Sequence, residues 1–295
     1  MPELPDVTVY CEALEKRLAG QRLQSVKLAS PFVLRSYDPP LDATYGRTVV
    51  GIRRIGKRIV LDLGDALFIV IHLMIAGRLH WRAPGEKKRP QGIVASFEFE
   101  PGTLHFTEAG TRKRASITVV RGEDALKALD PGGIEPLTST FEAFDAALRR
   151  ENHTLKRSLT DPHLFSGIGN AYSDEILHAA QLSPLKKTTQ LSEEEARRLH
   201  QAVRATLRSW TEIIRTEAGE KFPEKVTAFR EGMAVHGRYK KPCPVCGSPV
   251  QHIVYAENEC NYCARCQTGG KLLADRSLSR LLKDDWPKSI DELGS

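Results

Sequence analysis

The sequence predicts an α+β multidomain chain, and three observations carry that reading. A short amphipathic helix leads into a run of β-branched segments over roughly 22–120. Beyond a Pro/Gly-rich stretch at 129–137 the pattern turns helical. Near the end, paired cysteines bracket a β-prone segment. With 295 residues there is room for two domains and a small appended module. The composition, 41% hydrophobic and 27% charged, is that of a soluble globular protein.

The first helix follows Glu3, where Val7, Cys11, Leu14 and Leu18 recur at helical spacing and Gly20 can end the run. Pro5 is acceptable in its first turn because no intrahelical donor is needed there. The strands come next, as "RTVVGIRRI", "RIVLDL", "LFIVIHL", "IVASFEFE" and "ASITVV", with a hairpin tip expected at Pro101 and Gly102. "LDPGGIEPL" then marks a boundary. In the second half Ser192 and Glu195 have capping-box spacing ahead of the one-faced run Ala196, Leu199, Val203, Leu207, Trp210.

Cys243, Cys246, Cys263 and Cys266 have the spacing C-x2-C-x16-C-x2-C, which suits one tetrahedral Zn²⁺ held by two knuckles joined through a hairpin. Four thiolates leave no open position, so the ion is expected to be structural. Cys260 then reads as a non-ligand thiol. Farther upstream, Gly167, Gly169 and Asn170 precede a helical run, either as a tight bend or as a helix N-terminus suited to a phosphate.

The formal charge is +6, which permits a polyanionic partner without requiring one. The N-terminus carries Glu3 and Asp6 and does not resemble a signal or transit peptide, so a cytoplasmic location is expected. The apolar stretch at 66–77 is broken by His72 and is too short to span a bilayer, so no membrane role is expected.

These residues together resemble the bacterial formamidopyrimidine-DNA glycosylase and endonuclease VIII family, as a divergent branch. The resemblance rests on the Pro2-Glu3 start, "GKR" around Lys57, "HLMIAGRL" (72–79), Lys156, "GIGNAYSDE" (167–175), "VHGR" (235–238) and the terminal cysteines. It implies an N-terminal β-sandwich with a flanking helix (1–130), a helix-two-turn-helix domain (131–235), a zinc-finger β-hairpin (236–270) and a tail (271–295), with DNA in the cleft between the halves.

It also implies a bifunctional glycosylase and abasic-site lyase that removes oxidised or ring-opened bases from damaged double-stranded DNA. Pro2, freed of Met1, would be the nucleophile, Glu3 the acid and Lys57 a further catalytic residue gripping phosphate. A helix N-terminus favours the charged form of Glu3, so burial must outweigh the dipole if it is to give up a proton. Without the resemblance, Pro2 and Glu3 read simply as a helix start.

Lys156, Asn170 and Arg238 match phosphate-holding positions. Glu175 matches an active-site position, or is simply the first turn of a helix. His72 is either a DNA contact or a buried, hydrogen-bonded histidine. Ile75, beside Met74, is the candidate wedge for the vacated base stack, or one of the two packs in the core. The family's Asp-Pro-Arg-Arg-Phe-Gly loop is replaced by "TEAGTRKRAS" (107–116), where the Phe is missing and Arg112 or Arg114 only loosely replaces its Arg. Asn258 stands where the family places an Arg. These departures keep a second reading open, a damaged-DNA-binding paralogue without catalysis or with altered specificity. An RNA-binding role is a third. The chain is expected to act as a monomer. In the tail, Leu272, Leu278, Leu281 and Leu282 suggest a short helix.

Overall fold

The computed structural model describes residues 1–86, 88–110, 112–224, 226, 227, 229–255, 258–274, 281 and 287–294. The chain divides into two compact units: Met1–Pro131 with Trp210–Thr227, and Gly132–Ser209 with Ala228–Ser295.

The first unit begins with α1 (Leu4–Leu18), capped by Glu3, with Pro5 in its first turn. Eight strands follow: β1 (Leu23–Leu28), β2 (Gly51–Ile55), β3 (Arg58–Asp62), β4 (Leu67–His72), β5 (Gly77–Arg82), β6 (Ile93–Phe99), β7 (Gly102–Glu108) and β8 (Ser116–Arg121). They form two antiparallel four-stranded sheets, ordered β1-β6-β7-β5 and β2-β3-β4-β8. Alternation explains the sandwich, because Ile59, Leu61, Ile69 and Ile71 of one sheet join Leu79, Phe97, Leu104 and Phe106 of the other in a single apolar core. Val7, Tyr10, Leu14 and Leu18 of α1 enter the same core. Val60, Phe68 and Val70 face the other way, where Leu126 of α2 (Glu123–Lys127) covers them. The β6–β7 hairpin turns at Pro101, with Phe99 paired to Gly102.

The second unit contains α3 (Phe141–Arg149), α4 (Leu155–Thr160), α5 (Asn170–Ala179) and the first part of α6 (Glu193–Ala218). The capping box at the start of α6 forms as its spacing required: Glu195 N–H donates to Ser192 Oγ at 3.2 Å and Ser192 N–H to Glu195 Oε2 at 3.0 Å. Strands β9 (Gln251–Tyr255) and β10 (Asn258–Tyr262) pair antiparallel and lead into α7 (Ala264–Thr268). No helix among the described residues is long and apolar enough to cross a membrane.

Two features add to the sequence-based division. Residues 210–227 belong with the first unit, although 131–235 reads as one helical stretch. Their attachment is tertiary: Arg215 makes a bidentate pair with Glu12 at 2.6 and 2.9 Å, and Phe222 packs against Tyr10 at 5.7 Å between ring centroids. The tail is also partly integrated into the finger. Leu272 and Ile290 join Ile253, Tyr262 and Ala264 in one apolar cluster, Lys271 bridges Ser289, and Leu273 N–H donates to Tyr262 Oη at 2.8 Å. The expected tail helix falls largely outside the described residues, since it rests on Leu278 and Leu282.

Candidate active site and nucleic-acid interface

In the first unit Pro2 and Glu3 are buried, Glu3 with 2% of its surface exposed. Glu3 N–H donates to the Asp6 carboxylate at 2.9 Å, so Asp6, overlooked in the sequence, closes the helix start. The amine of Met1, which precedes Pro2, is held below its usual range. Burial is the main cause, with the cations Arg78 and Lys57 acting in the same direction and Glu3 and Asp6 opposing. The surroundings of the Met1 amine therefore work against its charged form.

Lys57 sits in the two-residue turn between β2 and β3, where Ile55 pairs with Arg58 and Gly56 takes φ +57. Glycine suits the first central position of such a hairpin. His72 ends β4 opposite Arg58, and burial, then Arg58, then Lys57 bring its pKa down to about 4. It is therefore neutral near pH 7, a half-buried imidazole beside the Lys57 turn.

The β4–β5 turn separates its apolar residues sharply. Leu73 is 1% exposed, whereas Ile75 is 55% exposed and Met74 takes φ +53. A Cβ at Gly77 would lie 2.2 Å from the Leu73 carbonyl oxygen, so only glycine permits this tight return. Arg78 braces the turn, donating to the carbonyls of Ile75 at 3.2 Å and Gly77 at 2.6 Å, and to Val226 at 2.5 Å. Ile75 is thus presented outward and the core role falls to Leu73.

Arg112 is exposed in the segment joining β7 and β8. The segment's conformation comes from Glu108, a buried carboxylate that accepts the Arg114 and Ala115 N–H groups at 2.7 and 2.9 Å. Sequence reading missed Glu108 and Arg78. An acidic residue closing a strand and an arginine opening one carry no distinctive pattern.

In the second unit α5 starts at Asn170, whose Nδ2 donates to the Glu259 carbonyl of β10 at 2.9 Å. Two of the expected site residues are engaged within the protein. The Lys156 ammonium pairs with Asp174 at 2.5 Å and donates to the Asn170 carbonyl at 2.6 Å, and its side chain is 14% exposed. Glu175 is engaged by backbone. It is 6% exposed and accepts three backbone N–H groups, from Ala234 at 2.7 Å and from Val235 and His236 at 2.9 Å each. Both side chains serve contacts between segments distant in sequence, which local spacing does not reveal.

Arg238 follows that turn. One of its terminal nitrogens donates to the Pro242 carbonyl at 3.0 Å, while its buried Nε has no hydrogen-bond partner among the described residues. Asn258 opens β10 opposite Tyr255; its side chain lies outside the described set.

The Sγ atoms of Cys243, Cys246, Cys263 and Cys266 all lie within 4.8 Å of one another, an arrangement that can hold a metal ion. Tetrahedral S₄ ligation at about 2.3 Å places sulfurs about 3.8 Å apart, and the Cys243–Cys266 pair is separated by 3.9 Å. His178 Nε2 lies 3.3 Å from Cys243 Sγ as an outer neighbour. Cys260 stays apart, buried on β10 with burial pushing its thiol up, so it remains protonated.

Comparison with known proteins gives a consistent result. Residues 1–116 match the formamidopyrimidine-DNA glycosylase N-terminal domain, and 133–219 match the H2TH domain of the same enzymes. A formamidopyrimidine-DNA glycosylase of Desulforamulus reducens is 32% identical over 279 residues, covering 90% of this chain and 99% of its own. An uncharacterized formamidopyrimidine-DNA glycosylase-like protein of Mycobacterium tuberculosis is 39% identical over 157 residues, 53% of this chain and 96% of its own. Among solved structures, Lactococcus lactis Fpg in complex with an abasic-site DNA superposes with TM-score 0.80 at 25% identity, covering 90% of this chain and 99% of that one. MutM in complex with DNA containing carbocyclic 8-oxo-G gives 0.79 at 25% identity, with 90% and 100% covered.

Proposed function

The chain belongs to the formamidopyrimidine-DNA glycosylase family, and on that premise we propose that it is a base-excision DNA glycosylase with abasic-site lyase activity acting on damaged duplex DNA. The observation that carries the proposal is the buried Pro2–Glu3 start, where burial and the cations Arg78 and Lys57 hold the preceding Met1 amine below its usual range.

Once Met1 is removed, the Pro2 nitrogen attacks C1′ of a flipped-out nucleotide and the bond from C1′ to the base breaks. Glu3 gives its proton to the sugar ring oxygen as the ring opens, and an iminium forms between Pro2 and C1′. The iminium withdraws electrons, so a proton leaves C2′ with the 3′ phosphate, and then a proton leaves C4′ with the 5′ phosphate. No redox or nucleotide cofactor enters these steps. Neutral His72 offers hydrogen bonds beside the Lys57 turn, and Ile75 fills the vacated stack. Asn170, Arg238 and Lys57 meet phosphates, and Arg112 approaches the orphaned partner base. The four-cysteine cluster suits Zn²⁺, which would fix the β9–β10 hairpin.

Borohydride trapping on abasic duplex DNA tests the proposal, with mass spectrometry of the amino terminus run in parallel. Processed protein is expected to give a covalent adduct, and Pro2→Gly to lose it while retaining duplex binding. No adduct from Met-processed protein, on an abasic site or on any oxidised base, refutes the lyase chemistry. The replaced 107–116 loop and Asn258 favour the second reading, a damaged-DNA-binding paralogue, which instead predicts that Pro2→Gly changes nothing measurable.

A further inference from the structure

Asp174 is fully buried and accepts hydrogen bonds from three separate elements. Its Oδ1 pairs with the Lys156 ammonium of α4. Its Oδ2 accepts His236 Nδ1 at 2.8 Å, and the backbone and side-chain nitrogens of Asn261 at 3.1 and 3.3 Å. A buried carboxylate is costly unless its lone pairs are filled, and here they are. Burial alone would push this carboxyl up, yet Lys156 and His236 more than offset it and leave it below its usual range.

Asp174 and Glu175 are consecutive, so their side chains leave α5 about 100° apart. One reaches α4 and β10, the other the 234–236 turn. Between them they fix the segments that present Asn170 and Arg238. The ammonium of Lys156 is neutralised at contact distance and has the Asn170 carbonyl as a second acceptor. A phosphate arriving there meets an ion pair of zero net charge, which releases few counterions.

We propose that Asp174 is a positioning residue of the DNA clamp, and that Lys156 is its buried counter-ion, with Asn170 and Arg238 left to meet the phosphates. The proposal rests on the DNA-binding reading above.

The test is a double-mutant cycle on the full chain. Affinity for a duplex carrying a tetrahydrofuran abasic analogue is measured by anisotropy across a salt series for the unaltered protein, Lys156→Met, Asp174→Asn, the double variant and Arg238→Met. Each single change in the pair is expected to weaken binding about tenfold with the salt slope unchanged, because geometry and not a phosphate contact has been lost. The double variant should bind no worse than the weaker single one, while Arg238→Met should reduce the slope by about 0.9.

The proposal is overturned if Lys156→Met reduces the slope as Arg238→Met does, or if its effect is the same with and without Asp174→Asn. Should a single variant unfold, a double variant that folds and binds supports the pairing, and one that stays unfolded overturns it. If the unaltered chain binds no duplex, the DNA reading itself fails. The same cycle in thermal unfolding then judges the pair, with absence of coupling counting against it.

Discussion

Replacing Glu175 by Ala should damage the fold more than the chemistry. The carboxylate accepts N–H groups from Ala234, Val235 and His236, and Val235 and His236 are themselves 0% and 5% exposed. Each stranded buried N–H costs about 1–3 kcal/mol, and because three share one acceptor a net loss of about 3–5 kcal/mol is reasonable. At about 2–4 °C per kcal/mol, melting should fall by about 10 °C. Glu175→Gln retains one acceptor oxygen and turns an NH₂ group toward a backbone donor, so an intermediate loss is expected. Differential scanning calorimetry beside borohydride trapping separates the possibilities. Trapping by Glu175→Ala should weaken through affinity, as the turn leading to Arg238 loosens, and recover at saturating duplex. If Glu175→Ala melted within about 2 °C of the parent and still lost trapping at saturation, the carboxylate would be acting on DNA, and the anchoring role drawn above would be wrong.

Further outcomes are expected at other positions. His72 is depressed to about 4 in the folded chain from an ordinary 6.5, so protonation favours the unfolded state. Stability should therefore decline as pH falls from 6.5 toward 4, by about 2–3 kcal/mol from this residue, and His72→Gln should flatten that part of a pH-dependent denaturation series. The amino terminus is lowered by burial first, with Lys57 among the cations that assist. If the Pro2 amine meets the same cations as that of Met1 once Met1 is gone, Lys57→Met should raise its pKa and move the acid limb of the trapping profile to higher pH; an unmoved limb would remove Lys57 from that role. Ile290→Ala opens the apolar cluster shared with Ile253 and Tyr262 at a cost of about 2–4 kcal/mol. It should speed metal release from the finger to a chromogenic chelator, and an unchanged rate would show that the tail does not brace the cysteines.

Patterns that are local in the chain were legible before the structure. Period 3.6 in α1, alternation in the strands, the Ser192–Glu195 capping box and the CxxC pairs each encode their geometry within a few residues, because helix, strand and knuckle are repeating local solutions. The exposure of Ile75 was half-legible. Adjacent residues in a turn cannot all face inward, but only the close approach of Gly77 to the Leu73 carbonyl decides that Leu73 takes the core.

The tasks of charged side chains were not legible. Lys156 and Glu175 stand in motifs that suggest contact with DNA, yet one faces Asp174 from a separate helix and the other a turn about 60 residues downstream. The sequence by itself determined the local elements and the pairing of cysteines that the fold gathers into one cluster. Only the tertiary structure decided which charges remain available to a polyanion, because a charge is neutralised by whatever lies within a few ångströms of it, and that neighbour is chosen by packing between segments far apart in the chain.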